Sequence, residues 1–379
     1  MPIPATKPYI LPDPTPQRIP IAHALLPAHA AIAPYLERID QARCYSNFGP
    51  LVTELEARLA ARFKAPTGVV TVANGTTAIA LALEALGCDP GGLCIVPAFT
   101  FCATAHAARQ AGLELWFLDV DPETWMLDPA TVAEALKTAP GPVEAIVPVG
   151  AFGRLPDLEA WARLSRETGI PVVVDAAAAF DALDAAPVPV AVSLHATKSV
   201  STGEGGFVAA QDPAFLQRVR ELSAFGFRGA RIAHMGAHNA KLSEYAAAVG
   251  LASLDAWPQT RSRYAFAAQH LRVALALAPE IEFQPGWGTA WFSSVCVVGT
   301  PEGQAAPIAA ALDAAGIDTR AWWGEGCHTH PAFEHCLRTD LPVTRRLAAS
   351  TLGLPFFVDL AEAQAWRIVD ALMSALKEL

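Results

Sequence analysis

Several features that mark particular classes of protein are missing from this 379-residue sequence. No apolar run reaches the roughly 18 residues that a membrane helix needs. The N-terminus has no charged segment followed by an apolar core, as a secretory signal would have. The net charge of -10 argues against nucleic acid as a partner. The seven scattered cysteines are typical of free thiols in a reducing compartment. We therefore expect a soluble, cytoplasmic protein that binds neither membranes nor nucleic acid.

Common ligand-binding motifs are missing as well. The sequence has no P-loop and no Gly-x-Gly-x-x-Gly run after a predicted strand. Cysteine and histidine residues cluster between Cys327 and Cys336, but their spacing does not match a zinc finger. We expect no metal site. A phosphorylated ligand stays compatible with the negative charge, because backbone N–H groups can bind phosphate locally.

The residues that are present indicate an α/β fold. Hydrophobic residues make up 53% of the chain, enough for one large and one smaller domain. Short apolar runs alternate with helical patterns, which predicts a mostly parallel sheet covered by helices on both faces. Seven runs have this character: 69–73, 93–96, 113–120, 144–149, 172–174, 190–193 and 207–210.

The domain organisation is predicted from prolines and from one change of pattern. Residues 1–20 are rich in proline, which favours an extended arm. The alternation of strands and helices changes around Trp257-Pro258. We therefore predict a large domain at 21–255 and a small α+β domain at 256–379.

Lys198 and Asp175 are the strongest candidates for chemistry. The chain has only six lysines, and Lys198 lies in a glycine-rich segment, Ser193–Gly206. A buried lysine that loses its proton can form a Schiff base. Asp175 ends an apolar strand, where a carboxylate can hold a pyridinium nitrogen. Together they are what a pyridoxal phosphate (PLP) site needs, although the spacing alone fits a solvated loop lysine equally well.

Other strand ends carry residues that suit the same kind of ligand. Asn74-Gly75-Thr76-Thr77 follows a strand and opens a helix, so it is either an anion site or an ordinary N-cap. Phe101 could lie over a flat ring or pack in the core. Ser193 could join a phosphate site or simply end a strand, and Asn239 is interpreted from its position alone as a helix cap.

Taken together and in this order, the motifs resemble the DegT/StrS sugar aminotransferases. These are PLP enzymes of fold type I that act on nucleotide-linked keto sugars. The resemblance covers most of the chain. The motifs that carry it are Tyr45–Pro50, Asn74–Ala78, Pro97–Phe101 with Ala103-Thr104, Val174–Ala177, Ser193–Lys198, Gly203–Gly206, Asn239–Glu244 and Leu352–Pro355.

The resemblance implies a fold and a set of roles. The fold would be a three-layer α-β-α domain with a seven-stranded, mostly parallel sheet, followed by the smaller domain. Lys198 would bind PLP as a Schiff base (the internal aldimine) and then move the substrate proton, and Asp175 would hold the ring nitrogen. The remaining implied contacts are Gly75, Thr76 and Ser193 with the phosphate, Phe101 with the ring, Asn239 with the phosphate of the neighbouring subunit in a homodimer, and His328 or His330 with the substrate.

The resemblance also implies the reaction. An amino acid, usually glutamate in this family, would supply an amino group to a keto sugar carried on a nucleotide, as in polysaccharide biosynthesis. One departure affects this expectation: Ala178 stands where the family usually has Gln or His, which reaches the ring oxygen, and Asp181 replaces a usual glycine. Alternatives are therefore a divergent, sugar dehydratase-like PLP enzyme or a regulatory relative without turnover.

Overall fold

The computed structural model describes residues 18–378. Most of the predicted N-terminal arm, residues 1–17, lies outside the described residues. The helices are α1 His29–Ala42, α2 Pro50–Ala60, α3 Gly75–Leu86, α4 Cys102–Gln110, α5 Pro129–Leu136, α6 Leu158–Thr168, α7 Pro213–Ser223, α8 Glu244–Leu275, α9 Ala305–Ala314, α10 Pro342–Ser350 and α11 Glu362–Lys377.

The strands are β1 Gly68–Val72, β2 Leu93–Pro97, β3 Glu114–Leu118, β4 Val143–Ile146, β5 Val174–Asp175, β6 Val190–Ser193, β7 Gly206–Ala210, β8 Phe227–Arg228, β9 Ala230–Ala233, β10 Glu282–Phe283, β11 Cys296–Gly299, β12 Leu337–Arg338 and β13 Thr351–Leu354. Short 3-10 turns occupy Ala151–Gly153 and Cys327–Thr329. No helix within residues 18–378 combines the length and apolar character that crossing a membrane requires.

One large sheet contains all seven predicted strands. Two four-stranded groups, β1-β7-β6-β5 and β12-β3-β2-β4, are joined by parallel bridges from Ile146 to Val172 and from Val149 to Asp175. Strand β7 runs antiparallel to β6 and β1, and the other pairs are parallel. The expected mostly parallel sheet is therefore confirmed, with the short β12 as an additional strand beside β3.

The strands are apolar on both faces because each face supports its own layer of helices. Along β2, Leu93 and Ile95 belong to one core, whereas Cys94 and Val96 belong to the other. This alternation follows from the two-residue period of a strand. The first core includes residues of α2, α6 and α8, and the second includes residues of α3, α4 and α7. The three-layer architecture is confirmed.

The C-terminal part contains a small antiparallel sheet, β10-β11-β13, together with α9 and α11. Helix α8 reaches it without a break, although the sequence pattern changes at Pro258. Buried Trp257 and Tyr264 hold the helix on either side of that proline. The predicted division between residues 255 and 256 falls inside α8 and stays a prediction.

Candidate active site

The carboxyl edge of the sheet brings Asp175, Ser193 and Lys198 together. Asp175 ends β5 and Ser193 ends β6, its parallel neighbour. Lys198 follows in a loop that folds back on itself: Leu194 N–H donates to Gly205 O at 2.8 Å, and Thr202 N–H donates to Leu194 O at 2.9 Å. The loop therefore keeps Lys198 close to the strand end from which it starts.

Asp175 is a buried carboxylate with two donors from the protein. Its Oδ2 accepts from the Thr104 hydroxyl at 2.7 Å, and its Oδ1 accepts from Ala177 N–H at 3.0 Å. Burial raises the pKa of Asp175 above its usual value, while the two hydrogen bonds and the charge of Lys198 act against that rise. The site thus combines a dry environment with groups that favour the ionised form.

Lys198 experiences the opposite effect. Burial lowers the pKa of its amine, and the negative charge of Asp175 opposes this shift. The amine and the carboxylate are therefore close enough for their charges to interact. A lowered pKa leaves more of the amine neutral near pH 7, which is the form that reacts with a carbonyl group.

The start of α3 forms a cradle beside these groups. Asn74 caps the helix, with its Oδ1 accepting from Thr77 N–H at 2.8 Å. The amides of Gly75 and Thr76 lie in the first turn, where a helix offers them no acceptor. These free N–H groups point to an anion site with the charge preference of a helix N-terminus.

The start of α3 packs closely against its neighbours around Gly75. A Cβ atom on Gly75 would lie 2.8 Å from Ser193 Cβ and 3.2 Å from Ser193 Oγ. A Cβ atom on Gly206 would lie 2.8 Å from Gly75 N. Only glycine fits at both positions, so the start of α3 lies in direct contact with the end of β6 and the start of β7, and the Ser193 hydroxyl lies next to Gly75. The residues present therefore fit a phosphate group.

Phe101 lies beside this edge as the residue before α4. Its side chain is 57% exposed, which is unusual for a phenylalanine next to the end of a buried strand. By contrast, Phe99 is buried and packs edge-on against Trp323, with ring centroids 4.9 Å apart. The role of Phe101 over a cofactor ring stays a prediction, and its open ring face is what that role needs.

Asn239 is exposed and lies near the end of β1. Its Oδ1 accepts from Lys241 Nζ at 2.5 Å, and the next residue, Ala240, accepts from Ala73 N–H at 2.8 Å. The backbone around Asn239 thus runs beside the phosphate cradle of its own chain. Its predicted contact with a second subunit stays a prediction.

His328 and His330 lie on another part of the same edge. Their loop is tied to the end of β2, because Cys327 N–H donates to Ala98 O at 2.8 Å. His328 is buried near Phe117, with an Nδ1 atom that makes no hydrogen bond, and His330 stacks near Phe333. Burial and two nearby arginines lower the pKa of His328. Their role toward a substrate stays a prediction.

Two features of the site could not be found by motif. Asp181 is almost fully buried, accepting from Arg261 Nε at 2.6 Å and from Phe292 N–H at 3.1 Å. It therefore ties the loop after Asp175 to α8 and to the C-terminal part. The only sequence signal was an aspartate in place of a usual glycine.

An aromatic stack next to Asp175 is the second feature. Phe152 lies against Trp323 with ring centroids 3.9 Å apart, and its φ of 56° is in the left-handed region that non-glycine residues rarely adopt. The same turn contacts the site, because Gly150 N–H donates to Asp175 O at 2.8 Å. No sequence pattern connected Phe152 with Trp323.

The fold and this edge together define the class of protein. A mostly parallel seven-stranded sheet carries a carboxylate at the end of β5, a lysine after β6 and an anion cradle at α3. The match to known families agrees, and the chain is a PLP-dependent aminotransferase of fold type I. It belongs to the DegT/DnrJ/EryC1/StrS aminotransferase family, whose model matches residues 28–373.

Individual relatives and solved structures are similar to this chain over most of its length. A dTDP-3-amino-3,4,6-trideoxy-alpha-D-glucose transaminase from Streptomyces venezuelae is 31% identical, with 85% of this chain and 86% of the relative covered. The crystal structure of DesI in the presence of its TDP-sugar product has a TM-score of 0.85 and 32% identity, covering 96% of this chain and 94% of that one. A pleiotropic regulatory protein from Geobacillus stearothermophilus is 30% identical, covering 88% and 91%.

Proposed function

We propose that this enzyme transfers an amino group from an amino acid, most simply glutamate, to the keto group of a nucleotide-linked sugar. The observation that carries the proposal is that Asp175 at the end of β5 and Lys198 in the loop after the neighbouring β6 share one edge of the sheet with the phosphate cradle at Gly75. The sugar substrate is proposed because the Streptomyces relative is named as a transaminase of a dTDP-sugar and DesI is described with a TDP-sugar product.

The proposed mechanism assigns each group one task. Bound PLP supplies an electrophilic carbon for the amino group and a ring that accepts electrons. The Lys198 amine, with its lowered pKa, holds the cofactor and then moves a proton at the substrate carbon. The Asp175 carboxylate stays ionised to hold the ring nitrogen. The Gly75 and Thr76 amides and the Ser193 hydroxyl bind the phosphate, and Phe101 covers one face of the ring.

The proposed setting of the enzyme follows from the same residues. Asn239 is exposed next to the cradle of its own chain, as a residue that serves a neighbouring site would be. We propose a homodimer with shared sites, working in the cytoplasm and supplying amino sugars for polysaccharide biosynthesis. His328 or His330 would contact the sugar.

The test of this proposal is the absorbance of the purified protein with PLP. Lys198→Ala should abolish the visible band of the lysine-bound cofactor and lower the transamination rate by about 10³-fold or more, since a positioned proton-transfer group alone contributes about 10²–10⁴-fold. Lys137→Ala is the matched control, because Lys137 is exposed and pairs with Glu134. A band that persists unchanged in Lys198→Ala would show that another residue holds the cofactor.

A second candidate function rests on Ala178. An alanine side chain offers no donor to the ring oxygen, so the enzyme would carry out a divergent reaction, such as a sugar dehydration. Mixing the PLP form with glutamate separates the two: a transaminase loses the visible band, whereas a dehydratase-like enzyme keeps it. A regulatory role like that named for the Geobacillus relative is less well supported, because Lys198 and Asp175 are both retained.

A further inference from the structure

We propose that Thr104 is a positioning residue that fixes the orientation and the charge of the Asp175 carboxylate. The inference rests on the proposed function, in which Asp175 holds the ring nitrogen of PLP. Thr104 does not touch the reacting atoms in this proposal. It acts through Asp175, and the observations that carry it are one short hydrogen bond, its complete burial and a second hydroxyl behind it.

The hydrogen bond has a defined direction. Thr104 Oγ1 lies 2.7 Å from Asp175 Oδ2, and an ionised carboxylate can only accept, so the threonine donates. The length is that of a charge-assisted O–H···O bond. Ala177 N–H donates to the other oxygen at 3.0 Å. One protein donor on each oxygen fixes the plane of the carboxylate and leaves lone pairs for a ligand.

A second threonine supports the first. Thr100 Oγ1 lies 3.1 Å from Thr104 Oγ1, and both side chains are buried. Because the Thr104 proton is committed to Asp175, Thr100 must be the donor in this contact, although Phe101 O, 3.4 Å from the Thr100 hydroxyl, is a more distant alternative acceptor. The two hydroxyls therefore form a chain polarised toward the carboxylate, which strengthens each bond in a dry environment.

The position of Thr104 in the chain connects it with Phe101. Thr104 lies in the first turn of α4, and its N–H donates to Phe101 O at 3.3 Å. The same helical turn thus presents the exposed Phe101 ring and the buried Thr104 hydroxyl. Loss of the hydroxyl alone would leave this turn in place, which makes the hydroxyl testable by itself.

The electrostatic consequence has a definite sign. Burial raises the pKa of Asp175, and Thr104 is the largest of the opposing causes, followed by Ala177 N–H and the charge of Lys198. Lys198 is the charged residue of the described chain that acts on this carboxylate. Removing the Thr104 hydroxyl takes away a donor that stabilises the ionised form of Asp175. The pKa of Asp175 then rises further, and the carboxylate becomes protonated at a higher pH.

The experiment compares Thr104→Val with Thr104→Ser in the full-length enzyme and measures PLP affinity by absorbance titration between pH 5 and pH 9. We expect Thr104→Val to weaken PLP binding roughly 10- to 100-fold near neutral pH, because a hydrogen bond to a charged group is lost. The pH below which the enzyme loses PLP affinity should rise by about 1–2 units, since a tenfold change in affinity corresponds to one pH unit. Thr104→Ser should stay within about threefold of the wild type at every pH.

Two further variants make the result specific. Thr100→Val should shift the profile less than Thr104→Val, because it removes only the outer hydroxyl. Thr104→Ala replaces Thr104→Val if the valine variant does not fold, with the same expected shift. Equal affinities of Thr104→Val and Thr104→Ser, or a loss that is constant across pH, would overturn the inference.

Asp175→Asn separates this inference from the proposed function. If Asp175→Asn binds PLP as the wild type does, the proposed role of Asp175 is wrong. If Asp175→Asn loses affinity while Thr104→Val does not, the proposed function stands and the positioning role of Thr104 is wrong. We expect both Asp175→Asn and Thr104→Val to lose PLP affinity. Thr104→Ser keeps the hydroxyl and should keep the affinity.

Discussion

The two halves of the carboxyl edge are built differently. On the cofactor side, three of the candidate residues are fixed by regular elements: Asp175 ends β5, Ser193 ends β6 and Gly75 begins α3. Lys198 lies in the loop that joins β6 to β7. On the histidine side, His328 and His330 lie in or beside a short 3-10 turn within an irregular segment. That segment is anchored by contacts with distant parts of the chain, such as the bond from Cys327 N–H to Ala98 O.

This difference shows which parts of such an enzyme depend on backbone geometry. On the cofactor side, strand ends and a helix start pack directly against each other, since a Cβ atom added to Gly75 would lie only 2.8 Å from Ser193 Cβ. The histidine segment instead depends on side-chain packing against Phe117 and Phe333. We therefore expect substitutions on the cofactor side to act through geometry and those on the histidine side to act through packing and charge.

The largest effect is expected for Gly75→Ala on the cofactor side. The new methyl group would lie 2.8 Å from Ser193 Cβ, so the strand end or the helix start must shift. We expect a loss of stability of about 1–3 kcal/mol from overpacking and a loss of PLP affinity of at least tenfold, from chemical denaturation and absorbance titration. The matched control is Gly236→Ala, where a Cβ atom meets nothing within 4 Å. If Gly75→Ala and Gly236→Ala lost similar amounts of stability and PLP affinity, close packing at Gly75 would not be the cause.

A smaller effect is expected for Asp181→Ala, which cuts the link from the cofactor side to α8. The Asp181 side chain is 3% exposed, whereas Arg261 is 44% exposed, so water partly compensates the arginine. We expect a loss of about 2 kcal/mol, mainly from the unpaired Phe292 N–H and the displaced arginine. Asp359→Ala is the control. The Asp359 side chain, which pairs with Arg263, is 66% exposed, so this ion pair should contribute less than about 1 kcal/mol to stability. Equal losses in urea denaturation would contradict the assignment.

The smallest effect is expected at His328, and it depends on pH. Burial lowers the pKa of this imidazole in the folded protein. The unfolded chain therefore binds the proton more readily, and stability falls as the pH drops below the unfolded value of about 6.5. His328→Gln should reduce this acid-side slope by up to about 1.4 kcal/mol per pH unit. Unfolding free energies from pH 8 to pH 5 test it, and parallel curves for the two proteins would show that His328 is not the titrating group.

The sequence predicts the cofactor side better than the histidine side for a physical reason. Strands β1, β2, β5 and β6 are short apolar runs whose ends are followed by candidate residues, and a mostly parallel sheet gathers such ends at one edge. These strand ends predict Lys198 and Asp175 at the same edge, and the family resemblance is needed to favour this prediction over a solvated loop lysine. At Pro258 the sequence pattern changes but α8 continues, because burial of Trp257 and Tyr264 outweighs the missing hydrogen bond of the proline. The domain division predicted there stays a prediction.

Contacts between side chains far apart in sequence could not be predicted. The bond from Thr104 to Asp175 joins α4 to β5, and the stack of Phe152 on Trp323 joins a turn after β4 to the C-terminal part. Neither has a local pattern, since each depends on how the elements pack. The sequence alone indicated only that Thr104 belongs to a family motif and that Asp181 is an unusual residue at its position.

The reversed direction of β7 has a consequence for Lys198, the proposed catalytic lysine. A parallel successor to β6 would need a crossover to the opposite edge of the sheet, so only the start of a connection that carried the lysine would be anchored near the site. Because β7 starts where β6 stops, as the pairing of Ser193 with Gly206 shows, the intervening segment leaves and re-enters the sheet at a single place. The Lys198 amine is thereby carried on a segment that is tethered to the same edge at both ends. Added length in this segment should disturb the amine more than equal additions to the connections on the far edge.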